Sequence, residues 1–147
     1  MIIKFKPLYD DVTIPQRATE GSSGFDVCFY DPQKEEIKLY PGERALFKTG
    51  LSVEIPVGYE IQVRSRSGLA LKHGIIVLNS PGTIDADYRG EIGVILYNAD
   101  DSDGFVIKRG ERIAQLVPMQ LPTASIKIAK TLKETQRGTG GFGSTGL

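Results

Sequence analysis

The sequence predicts an all-β fold, a sandwich or barrel with the jelly roll among the candidates, and three observations carry that reading. Apolar residues alternate over short segments instead of recurring at helical spacing. Gly and Pro turn signals fall between those segments at strand-length intervals. No window of about 12 residues or more presents a clean helical face.

Taken along the chain, the first expected strand is 2–6. The second is 24–30, where Phe25, Val27 and Phe29 share one face. Strands at 36–40 and 44–48 flank a Pro41-Gly42 turn, and 51–55 leads into the turn Pro56-Val57-Gly58. In 58–64 the side chains of Tyr59, Ile61 and Val63 point one way. After Ser67 the run Leu69, Ala70 and Leu71 allows at most a turn of helix. A strand at 74–78, a turn at Pro81-Gly82 and a strand at 91–97 follow, the last with Ile92, Val94 and Leu96 on one face. Asp103-Gly104 turns the chain into strands at 104–108 and 112–117. About ten short strands punctuated in this way indicate a sandwich or barrel.

Composition bounds the function. Seventeen Gly and 8 Pro in 147 residues are about a sixth of the chain, against about 12% in average usage. A chain this long is expected to form one domain that buries about 68% of its unfolded surface. Eighteen basic residues balance 18 acidic ones, so no extended positive field favours a nucleic-acid polymer or an anionic membrane. An anionic ligand must be held locally. One Cys, Cys28, and one His, His73, exclude an intramolecular disulfide framework and a His/Cys-rich zinc site. The N-terminus has no apolar run of signal-peptide length, so a soluble, cytoplasmic protein is expected. Residues 1–136 are expected to form the sandwich and 137–147 a flexible Gly-rich arm, because that segment holds five of the glycines and too little apolar area to offset its ordering entropy.

Three segments carry residue types suited to phosphate chemistry. In the arm, Gly138, Gly140 and Gly143 match the G-x-G-x-x-G spacing, but no strand precedes them and no helix can follow. What remains is a set of backbone amides with Ser144, Thr145 and the guanidinium of Arg137, all able to contact phosphate oxygens, and Phe142 to stack on a ring. In 64–74, Arg64, Ser65, Arg66 and Ser67 cluster beside Gly68. In 79–97, Asp85 and Asp87 are two apart, so in extended chain they point to one side, with Tyr88 adjacent. One such carboxylate can serve as a general base for water, or the pair can recruit Mg²⁺. Cys28 sits in an apolar alternating strand and reads as a structural thiol rather than a partner of His73. Asp100, Asp101 and Asp103 read as a hairpin loop.

Five blocks, in order, resemble the five motifs of the trimeric dUTP pyrophosphatases (dUTPases). They are Gly24-Phe25-Asp26-Val27; Arg66-Ser67-Gly68-Leu69-Ala70; Asn79 to Gly90; Gly110-Glu111-Arg112-Ile113-Ala114-Gln115-Leu116; and Arg137 to Ser144. The resemblance spans 24–144 and implies a homotrimer of jelly-roll subunits that hydrolyses dUTP to dUMP and pyrophosphate with Mg²⁺, each site shared by three chains. It implies Asp85 as the residue that positions and deprotonates the attacking water, and Asp26 as the holder of Mg²⁺ through water. Arg66, Ser67 and Gly68 would contact phosphates and Gln115 the α-phosphate. Asn79, the backbone of Gly82, Thr83, Ile84 and Asp85, and Gly93 would read uracil, with Tyr88 under the deoxyribose. Phe142 of another subunit's arm would cover uracil while Arg137, Gly143 and Ser144 meet the phosphates. Two alternatives stay open: a dCTP deaminase of the same fold, for which the hairpin's acids, both Asp, offer no suitable Glu, and a trimeric module that binds nucleotides without turning them over.

Overall fold

A computed structural model of the chain describes residues 1–101 and 104–142. Among them are eleven strands and one helix: β1 (Lys4–Pro7), β2 (Phe25–Cys28), β3 (Glu36–Leu39), β4 (Arg44–Lys48), β5 (Leu51–Glu54), β6 (Tyr59–Arg64), α1 (Ser67–His73), β7 (Ile75–Val77), β8 (Gly82–Ile84), β9 (Gly93–Asn98), β10 (Phe105–Lys108) and β11 (Arg112–Gln120). The all-β expectation holds, and ten of the strands fall on the expected segments. Two local features differ. The helix runs from Ser67 to His73 before Gly74 closes it, longer than one turn. Gly82–Ile84, expected to be a turn, is a strand that follows the cis peptide Ser80–Pro81.

Every pairing is antiparallel and joins strands that are not consecutive in sequence, as a jelly roll requires. The strand orders are β2-β11-β6-β8, β4-β9-β7, β1-β5 and β10-β3. The alternation read from the sequence explains which faces meet. Val27 and Phe29, Ile61 and Val63, and Ile92, Val94 and Leu96 all enter one core with Phe47, Leu51, Ile75, Ile107, Ile113 and Leu116. Each such side chain contributes about 1.5–3 kcal/mol on burial. Phe29 and Phe47 pack edge-to-face, centroids 5.2 Å apart.

The polar groups inside that core are bonded. Asn98 donates from Nδ2 to the Leu39 carbonyl at 3.0 Å. Thr49 donates from Oγ1 to the Ile92 carbonyl at 2.7 Å. Thr49 and Gly50 form the corner where the chain leaves the β4 sheet and enters the β5 sheet. Gly50 has φ +67°, and a Cβ there would stand 2.6 Å from Val12 and 2.9 Å from Tyr30, so only glycine makes this corner without strain.

The body ends at Gln120. Leu121 makes one further bond, from its N–H to the Gly58 carbonyl, and residues 122–142 are exposed along their length, with Ile126, Ile128 and Leu132 among them. Among the described residues, no helix is long and apolar enough to cross a membrane.

Candidate functional site

Asp26, Arg66 and Gln115 come together on one face. Asp26 lies on β2 directly opposite Gln115 of β11, and Gln115 is in turn opposite Arg64 of β6. Gln115 Nε2 approaches Asp26 Oδ1 at 3.4 Å. The Arg66 guanidinium, at the residue preceding α1, reaches the same oxygen at 3.9 Å and donates from Nη1 to the Arg112 carbonyl at 2.7 Å. Arg112 donates from Nη1 to the other oxygen, Oδ2, at 3.0 Å. Asp26 is thus an anchor for two guanidinium groups, with its side chain only 11% exposed. Anchored arginines lose less entropy when they meet a further anion.

Ser67 and Gly68 begin α1 beside this cluster and are both exposed. Two neighbours singled out with them do other work. The Ser65 hydroxyl accepts the Val77 N–H at 2.8 Å, and Arg64 donates from Nη2 to Gln62 Oε1 at 2.7 Å. Cys28, on the same strand as Asp26, is half-buried, and burial pushes its thiol above the ordinary value. His73 packs on Phe105, centroids 4.6 Å apart. These placements suit packing roles for both.

The second group is the hairpin from β8 to β9. Thr83, Ile84, Asp85, Tyr88, Ile92 and Gly93 line a cleft of about 200 Å³. One wall, Gly82–Ile84, hangs from β6 by the register Val63↔Gly82 and Ile61↔Ile84. Gly82 is tight against Asn79: a Cβ there would meet Asn79 Nδ2 and Val63 Cβ at 3.2 Å each. Asp85 begins a turn closed by the Tyr88 N–H on its carbonyl at 3.2 Å. The expectation that Asp85 and Asp87 share one side of an extended strand is therefore corrected, because the chain turns between them. Both are exposed. Among the described residues no three His, Cys, Asp or Glu side chains converge to form a metal cage.

Tyr88 folds its ring over Gly90 and donates its hydroxyl to the Glu91 carbonyl at 2.9 Å. Arg89 braces the turn, donating from Nη1 to the carbonyls of Ala86 at 2.7 Å and Tyr88 at 2.9 Å. Sequence reading missed Arg112, Arg89 and Glu91 as contributors. Glu91 is also an acid of the hairpin that a count of two Asp overlooks; its carboxylate accepts the Gly50 N–H at 2.9 Å.

Within one chain the two groups are far apart. Asp85 lies three strands across and about four residues along from the level of Asp26, roughly 20 Å at ~4.8 Å per strand and ~3.3 Å per residue. Among the described residues no hydrogen bond or ion pair joins the two groups. Of the arm residues, Arg137 donates from Nε to the Gly140 carbonyl at 3.0 Å and Phe142 is fully exposed. Gly143 and Ser144 lie outside the described residues, as does Asp103.

Comparison with known proteins agrees along the whole chain. The family model described as dUTPase matches residues 10–146. A Hydrogenobaculum sp. protein named deoxyuridine 5'-triphosphate nucleotidohydrolase is 50% identical over 147 residues, covering 100% of this chain and 99% of the relative. One of the same name from Chlamydia muridarum is 54% identical over 143 residues, 97% of each chain. The structure of a Staphylococcus bacteriophage 80alpha dUTPase G164S mutant with dUpNHpp superimposes with a TM-score of 0.89 at 28% identity, covering 99% of both chains.

Proposed function

The chain belongs to the dUTPase family, and from that premise we propose that it hydrolyses dUTP to dUMP and pyrophosphate at sites shared between subunits of a homotrimer. The observation that carries the reading is the split site: a narrow hairpin cleft with a carboxylate at its rim, and an arginine-rich face roughly 20 Å away on the same chain. Neither half alone can hold both the base and the triphosphate of one nucleotide.

The hairpin half reads the nucleoside. The backbone of Gly82 to Asp85, Gly93 and the Asn79 amide meet the polar edge of uracil, and a close fit of the walls on that ring excludes a thymine methyl. Tyr88 packs under the deoxyribose and disfavours a ribose hydroxyl. The other half, from a neighbouring copy, meets the phosphates through Arg66, Ser67, Gly68 and Gln115. Arg137, Phe142, Gly143 and Ser144 of an arm, within residues 137–147, close over the nucleotide. The exposure of residues 122–142 in the single chain supports an arm that finds its contacts on another copy.

Asp85 orients a water and takes its proton as the water oxygen attacks the α-phosphorus. The bond from that phosphorus to its bridging oxygen breaks, and pyrophosphate leaves with the electron pair. The residues fit a hydrated Mg²⁺ rather than a caged one: Asp26 stands among the arginines of the phosphate-facing half, and its two oxygens retain acceptor sites beyond the two guanidinium contacts. Asp26 would hold the ion through water, and the ion when bound supplies charge neutralisation on the triphosphate.

Asp85→Asn tests the reading, since it keeps the shape and removes the base. Turnover of dUTP is expected to fall by at least about 10²-fold, with dUTP affinity within about threefold of the unaltered chain. Full activity in the variant contradicts the assignment. Ammonia released from dCTP by the unaltered chain overturns the choice of reaction.

A further inference from the structure

We propose that Glu91 is a positioning residue for nucleoside recognition: its carboxylate bolts the second wall of the hairpin cleft to the sheet-switching corner at Gly50. The inference rests on the reading of the cleft as the uracil and deoxyribose site.

The two walls of the cleft are held differently. The wall from Gly82 to Ile84 is a strand in a four-stranded sheet. The wall at Ile92 and Gly93 leads from the 85–90 loop into β9, where Gly93 pairs with Lys48, so its loop end depends on what fixes residues 91 and 92. Three hydrogen bonds do so, all to the corner at 49–51. The Ile92 N–H donates to the Leu51 carbonyl at 2.7 Å, Thr49 Oγ1 donates to the Ile92 carbonyl at 2.7 Å, and the Gly50 N–H donates to Glu91 Oε1 at 2.9 Å. In the first two, the hairpin contributes only backbone. Glu91 contributes the side chain, and among the described residues it is the hairpin side chain whose hydrogen bond reaches the sandwich, since those of Tyr88 and Arg89 stay inside the hairpin.

The same residue holds the sugar-facing ring. Its carbonyl accepts the Tyr88 hydroxyl, so a shift of residue 91 carries Tyr88 with it. The space beside Gly50 is filled by Val12 and Tyr30, which a Cβ there would meet at 2.6 and 2.9 Å, so the corner has little room to follow such a shift. Its carbonyl is also occupied, accepting the Leu8 N–H at 2.8 Å. A rigid donor on the body and an acceptor on the hairpin set the width of the cleft. Asp85 stands on the opposite wall, so loss of the bolt loosens substrate fit while leaving the base in place.

Three variants test this. Glu91→Ala removes the acceptor, Glu91→Gln keeps an oxygen acceptor of the same reach without the charge, and Glu91→Asp keeps the charge but falls short by one methylene. For Glu91→Ala the KM for dUTP is expected to rise about tenfold with kcat within about threefold, and preference for dUTP over UTP to fall about tenfold as Tyr88 drifts. Glu91→Gln is expected to restore KM and preference to within about threefold, and Glu91→Asp to lie between. Amide hydrogen exchange at Gly50, read independently of activity, should speed up in Glu91→Ala and Glu91→Asp and stay protected in Glu91→Gln. Unchanged KM and preference in Glu91→Ala, or a Glu91→Gln variant as impaired as Glu91→Ala, overturns the proposal. If the unaltered chain does not hydrolyse dUTP, the site reading fails, and normal protection at Gly50 in Glu91→Ala then separately refutes the bolt.

Discussion

Tyr30 shows how a single side chain can tie remote segments. Its ring stacks on Tyr9 with centroids 5.2 Å apart, Arg109 lies over it at 5.6 Å, and its hydroxyl donates to the Asp11 carboxylate. That hydrogen bond first, then burial and the charge of Asp11, push the phenol up to about 12 from an ordinary value of 10.0. The folded value is the higher one, so the stabilisation is fully present below about pH 10 and disappears as the pH climbs toward 12. Tyr30→Phe lacks both the bond and the titration. Urea midpoints of the two proteins should therefore differ by a constant amount up to about pH 10 and converge between about pH 10 and 12. A gap that persists unchanged to pH 12 contradicts the assignment. Asp26, Arg66 and Gln115, which the fold brings together, were marked in the sequence by the motif blocks that resemble the dUTPases, and Arg66 also by its cluster of phosphate-suited neighbours. Arg112 on Asp26, 86 positions away, and Glu91 on Gly50, 41 away, were not, because only the folded register creates those pairs.

At the scale of elements, legibility follows segment length. Strands such as Tyr59–Arg64 and Gly93–Asn98 span several alternations, and their buried faces are those the pattern indicates. β8 has three residues after a Pro, too short for alternation to register, and its strand character comes from pairing with β6. The turn at Asp85 was hidden for the same reason. The C-terminal arm is the reverse case: its composition marks it off, while the role proposed for it rests on contacts with another copy. Residues 122–142 lie exposed, Phe142 included. Deleting Arg137 to Leu147 is expected to leave the elution volume of the assembly unchanged in size-exclusion chromatography, because the sandwich is complete at Gln120. Turnover of dUTP should fall by at least about tenfold, since Phe142 and Arg137 no longer cover the nucleotide. Undiminished turnover would assign the segment no part in the site.

The chain as a whole is charge-neutral, and its two proposed half-sites stand roughly 20 Å apart. Neutrality suits a small polyanion well enough, because two anchored arginines and backbone amides act at contact distance where an extended field is not needed. The separation of the half-sites has a sharper consequence for assembly. If Asp85 of one copy works with Arg66 of its neighbour, then Asp85→Asn damages only the hairpin half and Arg66→Ala only the phosphate half. Each variant alone forms trimers in which every site carries one defect. When the two are unfolded together at equal concentration and refolded, subunits combine at random, and a site is intact when an Arg66→Ala chain supplies the hairpin and an Asp85→Asn chain supplies the arginine. Two independent choices between two chains make that about a quarter of all sites, so activity should recover to about a quarter of the unaltered level from two nearly inactive parents. Mixing without unfolding should recover activity only as fast as subunits exchange. Sites contained within single chains would give no recovery under either protocol, because every chain in the mixture carries a defect in its own site.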